Sequence, residues 1–98
     1  MLAYCEMMCS HLVEVSKLMD AEKSTMGQVA RAKGICSRVA REVVALAREV
    51  CGGNGILLDN HVMKQFMDIE AMYTYEGTYD INMLVSGREL TGGLPAFK

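Results

Sequence analysis

The run Tyr73-Thr74-Tyr75-Glu76-Gly77-Thr78-Tyr79-Asp80 sets one carboxylate between an aromatic residue and a glycine, just ahead of an expected helix start. A carboxylate there can lie beside an apolar pocket while the glycine lets a ligand approach the backbone, which makes Glu76 a candidate general base. The plain alternative is an exposed glutamate in a loop leading into a helix. A second candidate is Gly52-Gly53-Asn54-Gly55. It is not the Gly-x-Gly-x-x-Gly of a dinucleotide fold and no strand pattern precedes it, so taken alone it reads as a helix-ending turn. Its bare backbone could also approach a phosphate or ribose closely. Which reading holds depends on where the turn lies relative to Glu76.

Other reactive side chains offer less. Cys5, Cys9, Cys36 and Cys51 fall in helical patterns with no Cys-x-x-Cys pair and no histidine at ligand spacing, so they read as buried reduced thiols and no metal site is expected. Cys5 and Cys9 share a helix face but have no further ligands nearby. His11 and His61 have no catalytic partner and read as surface or packing residues. Arg88, in Gly87-Arg88, reads as a helix-end ion pair with Glu70 or Glu89. Met7, Met8, Met19, Met63, Met67, Met72 and Met83 read as flexible fillers of irregular core gaps, with a promiscuous peptide-binding surface as the sharper alternative.

The elements that must position these residues follow from periodicity. Met1, Cys5, Met8, Leu12, Val15 and Met19 form one stripe of a first helix ending near Glu22. Thr25-Met26-Gly27-Gln28 has the Thr-x-x-Gln form of a capping box and opens a second helix. That helix carries Val29, Ala32, Cys36, Val39, Val43, Leu46 and Val50 at spacings of three and four, with a largely charged opposite face. Ala40, Val44, Ala47 and Cys51 add apolar surface beyond its main stripe, as expected of a face that meets another domain or subunit. The glycines and Asn54 of the 52–55 turn are expected to supply positive φ angles. Asp59 or Asn60 can cap a third helix with Val62, Met63, Phe66 and Ile69 inward, to about Met72. Thr78 can cap a fourth with Ile81, Leu84 and Val85 as its buried side, closed by Thr91-Gly92-Gly93 and followed by a tail. The pattern is all-α, an antiparallel four-helix up-and-down bundle, in a single domain over residues 1–98.

Composition narrows the classes. An apolar share of 51% with one proline excludes a disordered tail, and a net charge of −2 gives no pull toward nucleic acid or an anionic membrane. No apolar run approaches the roughly 20 residues of a membrane span. A soluble protein of a reducing, intracellular compartment is expected.

With the motifs in place, the chain resembles the carboxy-terminal helical domain of the acyl-CoA dehydrogenase and acyl-CoA oxidase family over essentially all of its length. The family pattern is Gln-x-x-Gly-Gly-x-Gly, an aromatic, then acidic or amide and basic residues at set intervals. Gly52, Gly53, Gly55, Asp59, Lys64 and Asp68 fall on it, while Glu49 stands where glutamine is usual and Ile56 where an aromatic is usual. Those departures, with the Thr74–Ile81 run and Gly87-Arg88, look most like the glutaryl-CoA dehydrogenase branch and the plant short-chain acyl-CoA oxidases.

The resemblance implies an FAD enzyme in which Glu76 removes the α-proton of an acyl-CoA thioester and the β-hydrogen passes to the flavin as hydride, giving a trans-2-enoyl-CoA. It implies that the backbone N–H of Glu76 helps hold the thioester carbonyl, that Tyr75 lines the acyl pocket and that Gly77 leaves room for substrate. Thr78 matches a flavin-contacting threonine. Glu49, Val50, Cys51, Gly52 and Gly53 match a stretch that reaches the cofactor of a neighbouring subunit, where Glu49 puts a side-chain amide contact in doubt. Phe97 matches a tail aromatic near the flavin. Electron-transfer flavoprotein or oxygen would be the acceptor, and a homo-oligomer, dimer or tetramer, the assembly. The family's amino-terminal helical domain and flavin-cradling β-domain are not in this sequence, so the 98 residues are expected to be the carboxy-terminal portion of a longer flavoenzyme, inactive alone. A helical oligomerisation module with idle catalytic residues is the alternative.

Overall fold

The computed structural model describes residues 1–93, and four α-helices account for most of them: α1 (Leu2–Asp20), α2 (Met26–Val50), α3 (Val62–Thr74) and α4 (Tyr79–Leu90). Short 3₁₀ turns at Gly52–Ile56 and Leu58–Asn60 join α2 to α3. Among the described residues there is no strand, and no helix is long and apolar enough to cross a membrane. The all-α architecture expected from periodicity is therefore present.

Local sequence explains where the helices start and stop. The capping box at Thr25 forms as expected: its hydroxyl oxygen accepts from the Gln28 N–H at 3.2 Å, and the Gln28 side chain accepts from the Thr25 N–H at 2.9 Å. Helix α1 stops at Asp20 rather than Glu22. Glu22 adopts φ 56°, its N–H bonds the Met19 carbonyl, and the Lys23 N–H bonds the Leu18 carbonyl, which together satisfy the last carbonyls of the helix. The same pattern closes α4, with Gly92 at φ 72° bonded to Glu89 and Gly93 to Arg88, at the expected Thr91-Gly92-Gly93.

The start of α3 departs from expectation. Neither Asp59 nor Asn60 caps it; His61 occupies the cap position at φ 60° without a side-chain bond, and the Asn60 amide donates instead to the Asn54 carbonyl at 2.8 Å. Helix α3 also extends to Thr74, beyond Met72. In the 52–55 turn only Gly52 needs a positive φ, at 58°. Gly55 is required for a different reason, because a Cβ there would run into the Arg48 carbonyl oxygen.

Helix α2, 25 residues and about 37 Å long, is the hub against which the other three pack. α1 precedes it through a short connection. α3 and α4 divide the remaining face, both antiparallel to α2. Arg41 meets Glu70 and Tyr73 on α3, while along α4 Tyr79 meets Arg38, Ser86 meets Arg31 and Glu89 meets Gly27. α3 and α4 thus act as one antiparallel partner broken between Thr74 and Tyr79. The break holds Glu76.

Helix α4 docks on a face of α2 made of small residues. Gly27, Ala30, Gly34 and Ser37 are buried at spacings of three, four and three, and Asn82 and Ser86 of α4 are buried opposite. This overturns the expected buried side of α4. Ile81 and Leu84 are exposed, and Val85 is half-buried. The space beside Gly27 and Gly34 is taken by the Glu89 carboxyl and the Met83 methyl of α4, and the polar groups that fit this face are hydrogen-bonded, Ser86 accepting from Arg31 at 2.8 Å and Asn82 donating to carbonyls 77 and 78. In α1 the inward residues include Cys5, Met8 and Val15 as expected, but His11 and Leu18 replace Leu12 and Met19. A stripe drawn at 3.5 residues per turn drifts around a helix of 3.6. The α3 residues Val62, Met63, Phe66 and Ile69 are half-buried as a set.

Little of this chain is closed off from solvent. Its radius of gyration is 15.9 Å, against about 13 Å for a compact domain of this length, and it measures 49 × 32 × 17 Å. Among the described residues no side chain is completely buried, and the buried hydrophobics are Val15, Ala30 and Ala32. Met7, Met19, Met67 and Met72, expected to fill core gaps, are exposed, because α1 and α3 each pack on one side only. Leu2, Met26, Val50 and Leu90 are each at least 73% exposed. Covering four such side chains contributes about 6–12 kcal/mol, comparable with the whole net stability of a domain.

Candidate active site

Glu76 stands at the tip of the Tyr75–Thr78 loop with φ 53°, a left-handed conformation that glutamate adopts only under constraint, and Gly77 follows at φ 91°. The loop's own sequence provides part of the constraint. Thr78 caps α4, its hydroxyl oxygen accepting from the Ile81 N–H at 3.3 Å, and buried Asn82 donates to the Gly77 and Thr78 carbonyls at 2.9 and 3.0 Å. A Cβ on Gly77 would come within 3.1 Å of the Asn82 amide nitrogen, so glycine serves both the φ angle and the approach of that amide.

Helix α2 provides the rest. The Lys33 ammonium donates to the Gly77 carbonyl at 2.6 Å and, more weakly, to the Tyr73 carbonyl at 3.4 Å. On either side of the loop the rings of Tyr73 and Tyr79 stack with centroids 5.9 Å apart. Arg41 lies over the Tyr73 ring at 4.1 Å and bonds Glu70 at 2.7 Å; Arg38 bonds the Tyr79 hydroxyl at 2.9 Å. Sequence reasoning missed Lys33, Arg38, Arg41, Asn82 and the tyrosine stack. The helix period of α2 was a usable signal, since it lines up Gly34, Ser37 and Arg41 with Lys33 and Arg38 close beside them, but nothing local said that this side faces a loop forty residues on.

The site residues expected from sequence fall into two groups. Tyr75, Glu76, Gly77 and Thr78 share the loop, with Glu76 and Thr78 exposed and Tyr75 at 56% exposure. Among the described residues no acceptor takes the Glu76 backbone N–H, which leaves that donor free for a ligand. Glu49, Val50, Cys51, Gly52 and Gly53 lie at the far end of α2, roughly 16–30 Å along its axis from the level of Lys33 and Arg38. There Gly52 and Gly53 are exposed, with open space where a Cβ would stand. Phe97 lies outside the described residues.

The other candidates resolve simply. Arg88 joins no ion pair among the described residues; Glu70 pairs with Arg41, and Glu89 lies 4.0 Å from Arg31. The Glu89 carboxyl is held below its ordinary range, first by the Thr25 hydroxyl and then by the Gly27 N–H, both at 2.8 Å. Cys9 is exposed rather than buried, and Cys36 is half-buried with its thiol pushed up by burial and by nearby Cys9, which disfavours a reactive thiolate. His11 lines an apolar groove of about 950 Å³ between α1 and α2, floored by Ile35, Val39 and Met83 and containing no residue of the Glu76 loop. Among the described residues no cluster of three or more His, Cys, Asp or Glu side chains could hold a metal ion.

The chain as a whole is similar to known proteins. A family described as "Acyl-CoA dehydrogenase, C-terminal domain" matches residues 1–91. Similarity also extends to a curated protein of Acetobacterium woodii, the caffeyl-CoA reductase-Etf complex subunit CarC, at 30% identity over 73 residues. That match covers 74% of this chain and 19% of the relative, so the chain spans about a fifth of that protein's length.

Proposed function

The chain belongs to the acyl-CoA dehydrogenase C-terminal domain family, and from that premise we propose that it supplies the catalytic base, Glu76, to an FAD-dependent enzyme that oxidises the α,β bond of an acyl-CoA thioester. The observation that carries the proposal is the Glu76 loop itself: a carboxylate in a strained conformation, tied to two helices, with its own N–H unclaimed. Strain of this kind costs about 1–3 kcal/mol and persists where the surroundings over-determine it. Glu22 and His61 share the positive φ, but their N–H groups are bonded within their own turns, so the unclaimed N–H and the Lys33 and Asn82 ties are what set the Glu76 loop apart.

In this reading the Glu76 carboxylate takes the α-proton while its N–H donates to the thioester carbonyl, where negative charge develops as the α-carbon–hydrogen bond breaks. FAD, when bound, accepts the β-hydrogen as hydride, leaving a trans-2-enoyl-CoA. Thr78 keeps a free O–H donor after its oxygen accepts from Ile81, which suits a contact with the flavin. The open backbone at Gly52 and Gly53 suits close approach of a cofactor, with Glu49, Val50 and Cys51 completing that segment. Its distance from Glu76 along α2 favours the cofactor of a second copy, in a homodimer or homotetramer. The exposed apolar side chains are consistent with such an assembly and with burial against further domains of a longer flavoenzyme.

The Thr74–Ile81 run and Gly87-Arg88 favour the glutaryl-CoA dehydrogenase branch, or the plant short-chain acyl-CoA oxidases near it. The name of the A. woodii relative, a subunit of a reductase-Etf complex, supports electron-transfer flavoprotein over oxygen as the electron-transfer partner.

The test is Glu76→Gln in the assembled holoenzyme. It should bind acyl-CoA normally while flavin reduction in anaerobic stopped flow falls by about 10²–10⁴-fold. Reduction at the full rate removes Glu76 from the role of base.

A further inference from the structure

Resting on the reading of Glu76 as base, we infer that Lys33 is a positioning residue for it: the ammonium on α2 fixes the backbone from which the Glu76 carboxylate projects. Three observations converge on this.

The first is the choice of partners. Among the described residues the ion pairs are formed by Lys17, Arg31, Arg41 and Lys64, while the half-buried Lys33 ammonium is directed at two backbone carbonyls, Gly77 at 2.6 Å and Tyr73 at 3.4 Å. A charged donor makes a stronger bond to a carbonyl than a neutral one, and an ammonium has three hydrogens to place.

The second is what those carbonyls are. Tyr73 belongs to the last turn of α3, whose carbonyls have no partner within the helix, and Gly77 lies immediately after Glu76. Lys33 therefore clasps the loop on both sides of the carboxylate-bearing residue.

The third is where the other restraints come from. Thr78 and Asn82 belong to the start of α4, so their bonds hold the loop to its own following helix. The Lys33 bonds come from α2, the hub of the fold, and tie the loop to the surface against which α1, α3 and α4 all pack. Two consecutive residues with positive φ, Glu76 and Gly77, depend on such a tie to keep one orientation. Misplacing a reacting group by about 1 Å costs on the order of 10²-fold in rate.

The experiment compares Lys33→Met, Lys33→Arg, Glu76→Gln and the double variant Lys33→Met/Glu76→Gln in the assembled holoenzyme. Flavin content, acyl-CoA dissociation constant, flavin reduction rate per bound flavin and exchange of the substrate α-hydrogen with D₂O are measured for each. Lys33→Met should keep flavin and bind acyl-CoA with ordinary affinity, yet lose about 10²-fold in both reduction and α-hydrogen exchange. Lys33→Arg, which keeps a cation with several donors, should recover most of that loss. The double variant should be no slower than Glu76→Gln, since the two residues act through one group. Should Lys33→Met carry no flavin, Lys33→Gln takes its place, and because its amide is a shorter, neutral donor toward the Gly77 carbonyl its loss in reduction and exchange should fall between those of Lys33→Arg and Lys33→Met.

A Lys33 variant that reduces flavin at the wild-type rate per bound flavin, beside an inactive Glu76→Gln, overturns the inference and leaves the proposed function standing. Losses confined to flavin content or melting temperature overturn it too, because they mark a merely structural tie. Full-rate reduction by Glu76→Gln removes the base itself and the inference with it.

Discussion

Replacing Gly77 by alanine tests whether the conformation of the Glu76 loop is held by the contacts seen in it. Gly77 has φ 91°, and an L-residue held in this left-handed region costs roughly 1–2 kcal/mol that glycine does not. The new Cβ would stand 3.1 Å from the Asn82 amide nitrogen, close enough to push it a few tenths of an ångström away. That nitrogen holds the Gly77 and Thr78 carbonyls at 2.9 and 3.0 Å, and weakening the pair costs about 1 kcal/mol. The sum is about 2 kcal/mol, placed on the loop and the first turn of α4 rather than on the molecule as a whole. Hydrogen exchange followed by mass spectrometry should show the Tyr75, Ile81 and Asn82 amides opening about 30-fold more often, with α1 unchanged. Proton abstraction should slow in step, because the carboxylate then samples more directions. If exchange across 75–82 in Gly77→Ala matches the wild type, the strain and the Asn82 contact do not hold the loop, and the account of its positioning falls.

The remaining predictions concern neighbouring contacts. Gly34→Ala should be close to neutral, within about 1 kcal/mol in chemical denaturation. Its Cβ would crowd the flexible Met83 Cε at 2.6 Å while touching Asn82 Cβ at 3.5 Å and Tyr79 Cδ2 at 3.6 Å in ordinary contact, and alanine suits a helix interior better by about 0.5–1 kcal/mol. A large loss there would show that α4 cannot shift Met83 at all. Glu89→Gln should flatten the acid limb of thermal stability. The Glu89 carboxyl is lowered by the Thr25 hydroxyl, then by the Gly27 N–H, so its contribution is present above the unfolded glutamate value of about 4.3 and lost as pH falls through the lower folded value. Melting temperatures from pH 7 to pH 3 should therefore fall further in the wild type than in Glu89→Gln, and parallel curves would refute the cap. Glu76→Gln should slow flavin reduction by about 10²–10⁴-fold while sparing acyl-CoA binding. Lys33→Met should slow proton abstraction without loss of flavin.

Much of this protein is local chemistry, and local chemistry is written in neighbouring residues. Thr25 and Gln28 satisfy each other's backbone donors wherever they occur, Thr78 caps the helix that follows it, and Gly92 permits the left-handed turn that ends α4. These are interactions over a few residues, so the helices, their approximate limits and the exposed carboxylate between two of them were all legible in the sequence. The family motifs were legible for the same reason, as residue types at fixed spacing along one chain. What the tertiary structure decided was which faces meet. The regular apolar stripe of α2 pointed to one packing surface, but α4 settled on the glycine and alanine face instead, where its side chains find room and buried Asn82 and Ser86 find partners. Ile81 and Leu84 were left outward as a result. Lys33 carries no mark of its role within its own segment. It reaches the Glu76 loop, forty-four residues away from Gly77, only because α3 and α4 break their shared path along α2 at that level. Glu76 as the proposed base could be named from sequence, while the Lys33 bond to its loop exists only because packing brings the two together.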